Sequence, residues 1–206
     1  MSGRFSLFRW PQEWRELPGF AEPPQRWNIA PRQQVLLLHD RDGQRQVTPA
    51  LWGFTPGWSQ DLRHVASHAR SETAGEQAFF ADALARRRGV LPANGFFEWR
   101  GPQNTQKQAY WLSRPDEMLY MAALWEPYRV AGQEYCSVAM LTRQAAYLRR
   151  PVLIAGSDLD EWLDPQTTAE RIQQLLQAQP LALQERRVGR QVNDPQHEGP
   201  DCIRPL

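Results

Sequence analysis

The spacing of apolar residues changes along the chain, and the changes mark its elements. Val35, Leu36, Leu37, Leu38 and His39 form a run of strand length, and Asp42-Gly43 follows as the dipeptide of a tight hairpin into an extended segment over residues 44–48. Pro49 to Trp52 continues as another extended piece, and residues 90–99 hold a strand or two. Tyr110 to Leu112, Leu119 to Trp125, Tyr135 to Leu141 and Pro151 to Ala155 carry the β-branched or aromatic content of further strands. Helical spacing is rarer. Trp10 and Trp14, four apart, predict a short helix over residues 9–16. Thr73 and Glu76 have capping-box spacing ahead of a helix that runs to about Arg88, with Phe79, Phe80, Ala83 and Leu84 facing inward and Gly89 as its stop. Arg86, Arg87 and Arg88 then fall in its last turn, where the helix dipole favours cations, with a phosphate contact as the alternative. Ser157 with Asp160 and Thr167 with Glu170 mark two more helix starts, the second buried through Ile172, Leu175 and Leu176. Val188, Val192 and Ile203 are the apolar anchors of the tail.

Strands outnumber helices and do not alternate with them, so a βαβ wrap is excluded. The pattern predicts an α+β fold built on a curved or barrel-like, mainly antiparallel sheet with a few flanking helices. At 206 residues the chain suits one domain over 1–206. A formal charge of +1 gives little net field, so any nucleic-acid binding must come from local clusters of arginine, Lys107 being the only lysine. Two cysteines, Cys136 and Cys202, make no disulfide framework, and no apolar run reaches membrane-span length. The expected compartment is the cytoplasm. No Gly-rich phosphate loop follows a strand and no His/Cys/Asp cluster has metal-ligand spacing, so neither cofactor nor metal is expected.

Short polar-punctuated motifs carry the candidate chemistry. Met1-Ser2-Gly3-Arg4-Phe5 reads as a terminus used as a site or as the lead-in to an edge strand. Asn28, in Trp27-Asn28-Ile29-Ala30-Pro31, either caps its own bend or hydrogen-bonds a ligand. Trp52 at the edge of the loop Gly53 to Ser67 and Trp58 within it, where aliphatic residues are few, serve either as packing anchors or as stacking surfaces. In an extended His68-Ala69-Arg70 both polar side chains leave one face, suited to an anion, while an Arg70–Glu72 pairing is equally permitted. Glu98, between Phe97 and Trp99, is a carboxylate whose pKa desolvation raises unless it is paired, as a general acid or base near neutrality requires.

Taken in order, these motifs resemble the SRAP (SOS response-associated peptidase) family of abasic-site processing proteins over essentially the whole chain. The family's Cys-Gly-Arg-Phe start corresponds to Ser2 to Phe5, its Trp-Gly-x-x-Pro-x-Trp to Trp52 through Trp58, and its Asn-Ala-Arg-x-Glu-Thr to His68 through Thr73. Its Gly-Phe-x-Glu-Trp corresponds to Gly95 through Trp99, and its late His-Asp-Arg-x-Pro to Tyr147 through Pro151. The resemblance implies an N-terminal cysteine that crosslinks to abasic sites in single-stranded DNA, assisted by a glutamate and a histidine. By that correspondence the catalytic positions are Ser2, Glu98, His68 and Tyr147. The DNA-binding positions are Arg4, Asn28, Trp52, Trp58, Arg70, Arg149 and Arg190.

Three departures fall on the reacting centre. Ser2 replaces the cysteine, His68 the asparagine and Tyr147 the late histidine. An aliphatic hydroxyl does not ionise near neutrality as a thiol does, so crosslinking should be impaired or absent. The expectation is a monomeric protein that binds abasic or single-stranded DNA in the SOS response. Two alternatives stay open: an enzyme, acting through a Schiff base or lyase step at the Ser2 amine or as a repurposed serine hydrolase, and an interaction protein that keeps the fold without DNA.

Overall fold

The computed structural model describes residues 3–59, 65–102, 104–130, 132–146 and 148–206. Its strands are β1 (Phe5–Leu7), β2 (Arg26–Ile29), β3 (Gln34–Arg41), β4 (Gln44–Trp52), β5 (His68–Arg70), β6 (Arg88–Ala93) and β7 (Gly95–Arg100). They continue as β8 (Gln108–Ser113), β9 (Leu119–Val130), β10 (Gln133–Ala145), β11 (Leu148–Pro151), β12 (Leu153–Ile154) and β13 (Gln184–Arg187). The helices are α1 (Ala81–Arg86), α2 (Leu159–Leu163) and α3 (Ala169–Gln177).

Five strands close on themselves in the order β4, β3, β6, β9, β10. Four of these pairings are antiparallel, and β10 returns parallel to β4 with Val138 opposite Trp52. Closure removes the free edges that an open sheet would leave. Asp42 and Gly43, at φ 55° and 75°, make the tight β3–β4 turn, as the Asp-Gly pair predicts. A second sheet, β13-β8-β7-β1-β2, is antiparallel throughout. Gly95 permits its close packing: a Cβ there would lie 2.5 Å from the Trp111 ring and 2.7 Å from the Leu112 carbonyl.

Strand alternation divides the core. Leu37, Leu91, Ala123, Val138 and Met140 pack with Phe5, Phe96 and Leu112 of the second sheet. Leu38, Val90, Leu124 and Leu141 pack with Leu84, Trp162, Ile172, Leu175 and Leu176 of the helices. Thus the predicted α+β class, with its barrel-like sheet and flanking helices, is the observed one.

The helix boundaries differ from those predicted. Residues 73–80 coil into turns, because Phe79 and Phe80 must both reach Phe54, at ring separations of 5.7 and 5.4 Å. Helix α1 therefore starts only at Ala81. Residues 12–16 form a 3-10 turn after Pro11. Thr168 rather than Thr167 caps α3, accepting from the Arg171 N–H, and α2 starts without a side-chain cap. Arg88 is not in the last turn of α1 but in β6, almost wholly buried. It donates to the Leu84, Ala85, Trp162 and Asp164 carbonyls, so one guanidinium closes the ends of α1 and α2. Arg87 pairs with Asp82 and Glu126, and Arg86 with Asp82.

Two outcomes follow for stability. Arg88→Ala should strand several buried carbonyls and lower the unfolding free energy by about 3 kcal/mol or more, whereas the exposed Arg86→Ala should change it by at most about 0.5 kcal/mol. Urea midpoints at constant slope measure both. His39 is buried against Trp125 with its Nε2 2.8 Å from Thr48 Oγ1, and burial lowers its pKa from 6.5 to about 4. Its neutral form therefore supports the fold above its unfolded pKa of 6.5, and that support is lost as pH falls toward about 4. His39→Gln should flatten the stability profile across this window, which pH-dependent urea unfolding will measure.

Candidate functional site

Strand β1 lies between β2 and β7, so Arg4 and Phe5 are set along the strand that carries Glu98 by backbone pairing. Phe5 faces Phe96, and the Phe97 N–H donates to the Arg4 carbonyl at 2.9 Å. The Arg4 side chain turns toward β2. Its Nη1 donates to Asn28 Oδ1 and the Val192 carbonyl, both at 2.9 Å, its Nη2 to the Asn193 carbonyl at 3.3 Å, and its guanidinium lies 5.7 Å from the Trp99 ring centre. Burial lowers the Arg4 pKa, opposed by the charge of Asp194.

Asn28 is fully buried and completes this clasp. Its Nδ2 donates to the carbonyls of Val192 (3.2 Å), Asp194 (2.8 Å) and His197 (3.1 Å). Asn28 thus neither caps its own bend nor stands open for a ligand; its amide joins Arg4 to the late segment at Val192, Asp194 and His197.

Glu98 has a side chain only 1% exposed, and two guanidinium groups meet its carboxylate. Arg100 donates Nε (2.9 Å) and Nη2 (2.6 Å) to Oε2; Arg150 donates Nε (2.6 Å) to Oε1 and Nη2 (3.2 Å) to Oε2. Glu185 holds the same arginines from the far side, at 2.6 and 2.7 Å from Arg100 and 3.2 Å from Arg150. The side-chain hydrogen bond from Arg100 is the largest influence lowering the Glu185 pKa, and the same pairing raises that of Arg100. Glu98 is thus buried with both carboxylate oxygens taken by guanidinium donors.

A cavity of about 1040 Å³ opens over this quartet, lined by Glu98, Arg100, Arg150, Arg149, Arg143 and Lys107 among others. Arg143 donates to the Ala178 carbonyl, and burial lowers its pKa. A smaller cavity of about 320 Å³, lined by Gly3, Arg4, Gln106 and Asn193, adjoins the first across a wall shared by Trp99 and Lys107. The end of β1 thus opens beside a concave, cation-rich surface.

The other sequence candidates are distributed differently. Trp52 is fully buried against Phe5 at 5.2 Å, and its indole N–H is taken by the Ser67 carbonyl, so it anchors packing and presents no face for stacking. Trp58 is 69% exposed and touches Phe79 edge-on. The ring of His68 lies against Trp52, with Nδ1 2.9 Å from Ser67 Oγ, and it lines neither cavity. Arg70 is exposed and also outside both cavities; Glu72 pairs with Arg149 rather than with Arg70. Arg149 lines the larger cavity and bonds Thr142. Arg190 is exposed at the start of the short turn that carries Val192 and Asn193. Ser2 and Tyr147 lie outside the described residues.

Sequence reasoning missed Arg100, Arg143, Arg150, Glu185 and Lys107. Arg100 had a signal, standing two residues after Glu98 and hence on the same strand face. Arg143 and Arg150 are brought together by β10–β11 pairing, Glu185 reaches Arg100 and Arg150 from β13, and Lys107 lies in the turn before β8. Outside the cavity, His197, Asp201 and Cys202 place one donor atom each within 4.8 Å of one another. Their spacing matches no common ligand motif, and a tight turn brings them together.

Residues 1–195 match the family described as SOS response associated peptidase (SRAP). The chain belongs to the SRAP family. It is 27% identical to the abasic site processing protein YedK of Escherichia coli over 93% of this chain and 90% of that one. It is also 27% identical to the abasic site processing protein YoqW of Bacillus subtilis, over 86% and 84%. A crystal structure of a Bacteroides thetaiotaomicron protein superposes with a TM-score of 0.77 at 18% identity, over 87% of this chain and 85% of that one, a likeness of fold alone. Within the SRAP match, the β1–β7 pairing and the cavity above Glu98 join the motifs at either end of the chain.

Removing the Asn28 amide tests the clasp. Asn28→Ala should lower the unfolding free energy by roughly 2 kcal/mol or more, because Arg4 and three carbonyls lose a buried partner. A fall in the urea midpoint with an unchanged slope is the expected result.

Proposed function

We propose that this SRAP chain binds single-stranded DNA containing abasic sites and holds it without forming the stable covalent crosslink. The carrying observation is the adjacency of the β1 end to a cavity of about 1040 Å³ with Arg100, Lys107, Arg143, Arg149 and Arg150 in its wall. Such a surface suits a phosphodiester backbone, since guanidinium and ammonium groups neutralise phosphates and position the strand without reading bases. The exposed Trp58 supplies a π-face for a base, although it lies outside the cavity. The names of the relatives favour an abasic-site ligand.

Ser2 occupies the position where the family resemblance puts cysteine, which removes the thiol that closes a stable ring on the sugar aldehyde. A free amine at Ser2 would still condense reversibly with that aldehyde. In this proposal Glu98 serves chiefly to hold Arg100 and Arg150 in place, since a proton-transfer role would require it to give up an arginine. Arg4 and Asn28 hold the entry rather than the ligand. The same proposal takes the chain as one domain over 1–206, acting as a cytoplasmic monomer in the response to DNA damage.

Incubation with single-stranded DNA bearing one abasic site tests this, read by intact mass and by retention at graded salt. Salt-sensitive retention without a covalent mass increase is the expected result. Lys107→Ala and Arg143→Ala should each make the log affinity–log salt slope shallower by about 0.7, the increment of one phosphate contact on a single strand. A covalent adduct formed without borohydride would overturn the loss of crosslinking, and absence of binding even at low salt would overturn the DNA assignment.

A further inference from the structure

The segment after Asp194 lies almost entirely past the stretch matched to the family, and it folds into a tight knot of its own. The His197 N–H donates to the Asp194 carbonyl at 3.1 Å, and Pro200–Ile203 makes a 3-10 turn in which the Cys202 N–H donates to the Gly199 carbonyl at 3.1 Å. These turns converge three side chains of different donor type. His197 Nε2 lies 2.8 Å from Asp201 Oδ2, and Cys202 Sγ joins them with all three donors within 4.8 Å. Cys202 is fully buried, while the other two side chains are partly open, so one side of the cluster faces water.

We propose that His197, Asp201 and Cys202 bind one divalent transition ion of the zinc type, with water as the fourth ligand. The donor set of imidazole nitrogen, carboxylate oxygen and thiolate sulfur suits a borderline-soft ion and disfavours magnesium or calcium, which select oxygen. Bond lengths of about 2.0–2.3 Å in a tetrahedral site place ligand atoms about 3.3–3.7 Å apart, so small side-chain rotations complete the geometry. Glu198, the adjacent carboxylate, is already engaged by Arg26 at 2.7 Å and by the N–H groups of Trp27 and Asn28 at 2.7 and 3.2 Å. Binding breaks the Cys202 S–H bond, forms a metal–sulfur bond and releases that proton to solvent. Without the ion, burial together with the charges of Asp201 and Glu198 holds the thiol up at about 11; the dication reverses that balance.

The site is tied to the rest of the molecule by the Asp201 carbonyl, which accepts from Gln191 Nε2 at 2.8 Å, by the packing of Cys202 with Val188 and Val192, and by the His197 carbonyl. His197 O accepts from Asn28 Nδ2 at 3.1 Å, and Asn28 in turn holds Arg4. An ion here pins the segment against which the beginning of the chain is clasped.

Cobalt(II) titration of the full chain after chelator dialysis is the test, with zinc as competitor. The expected result is one ion per chain, a near-ultraviolet thiolate charge-transfer band, intense visible bands of four-coordinate cobalt, and loss of both on adding zinc. Cys202→Ser should abolish the charge-transfer band and Cys136→Ser should leave it intact. His197→Ala, at a partly exposed position, should fold and weaken cobalt affinity roughly tenfold or more. Absence of the band in the parent chain, its survival in Cys202→Ser, its loss in Cys136→Ser, or unchanged affinity in His197→Ala would each overturn the site, leaving a His–Asp hydrogen bond beside a buried thiol.

Discussion

A carboxylate taken out of water must be met by positive charge, and the manner in which Glu98 is met organises this protein. Its two guanidinium partners come from different sheets: Arg100 shares β7 with Glu98, whereas Arg150 lies on β11 of the barrel sheet. Glu185, on β13 at the edge of the second sheet, binds both arginines again. The quartet therefore bolts the two sheets together beside the cavity. Desolvation makes such a pair costly to form but far costlier to break from one side, which holds the cavity wall in one geometry.

The same economy of shared partners fixes the beginning of the chain. Arg4 and Asn28 satisfy each other and between them take the carbonyls of Val192, Asn193, Asp194 and His197. Early and late segments of the chain are thereby locked to one another, and the backbone of β1 is held along β7. Arg4 and Asn28 thus position the chain outside the larger cavity, while the charged side chains lining it are Lys107, Arg143, Arg149 and, from the quartet, Glu98, Arg100 and Arg150. This division separates groups whose loss would weaken the fold from groups whose loss would change what the surface holds.

Much of the architecture was legible in the sequence for a local reason. The 35–39 run, the Asp42-Gly43 turn and the buried stripe Ile172, Leu175, Leu176 depend on period-2 spacing, left-handed backbone preference and period-3.6 spacing, all carried by near neighbours. Helix limits were less legible because they answer to distant partners. Phe54 draws Phe79 and Phe80 out of a helical path, and Arg88 leaves α1 to close two helix ends at once.

The sequence by itself determined the fold class, the order of the motifs and the family resemblance, because ordered short motifs survive in one dimension. It also identified Glu98 and Arg149 as candidates at what proves to be the cavity. Which side chains meet at that cavity, behind it and in the tail was decided only by tertiary structure. Arg143 and Arg150 stand opposite each other in the β10–β11 register, Glu185 arrives on a remote edge strand, and His197, Asp201 and Cys202 converge through a turn. Trp52 and Asn28, each open to two readings in the sequence, became packing and clasp residues because burial and hydrogen-bond saturation are properties of the assembled surroundings, not of the residues beside them in the chain.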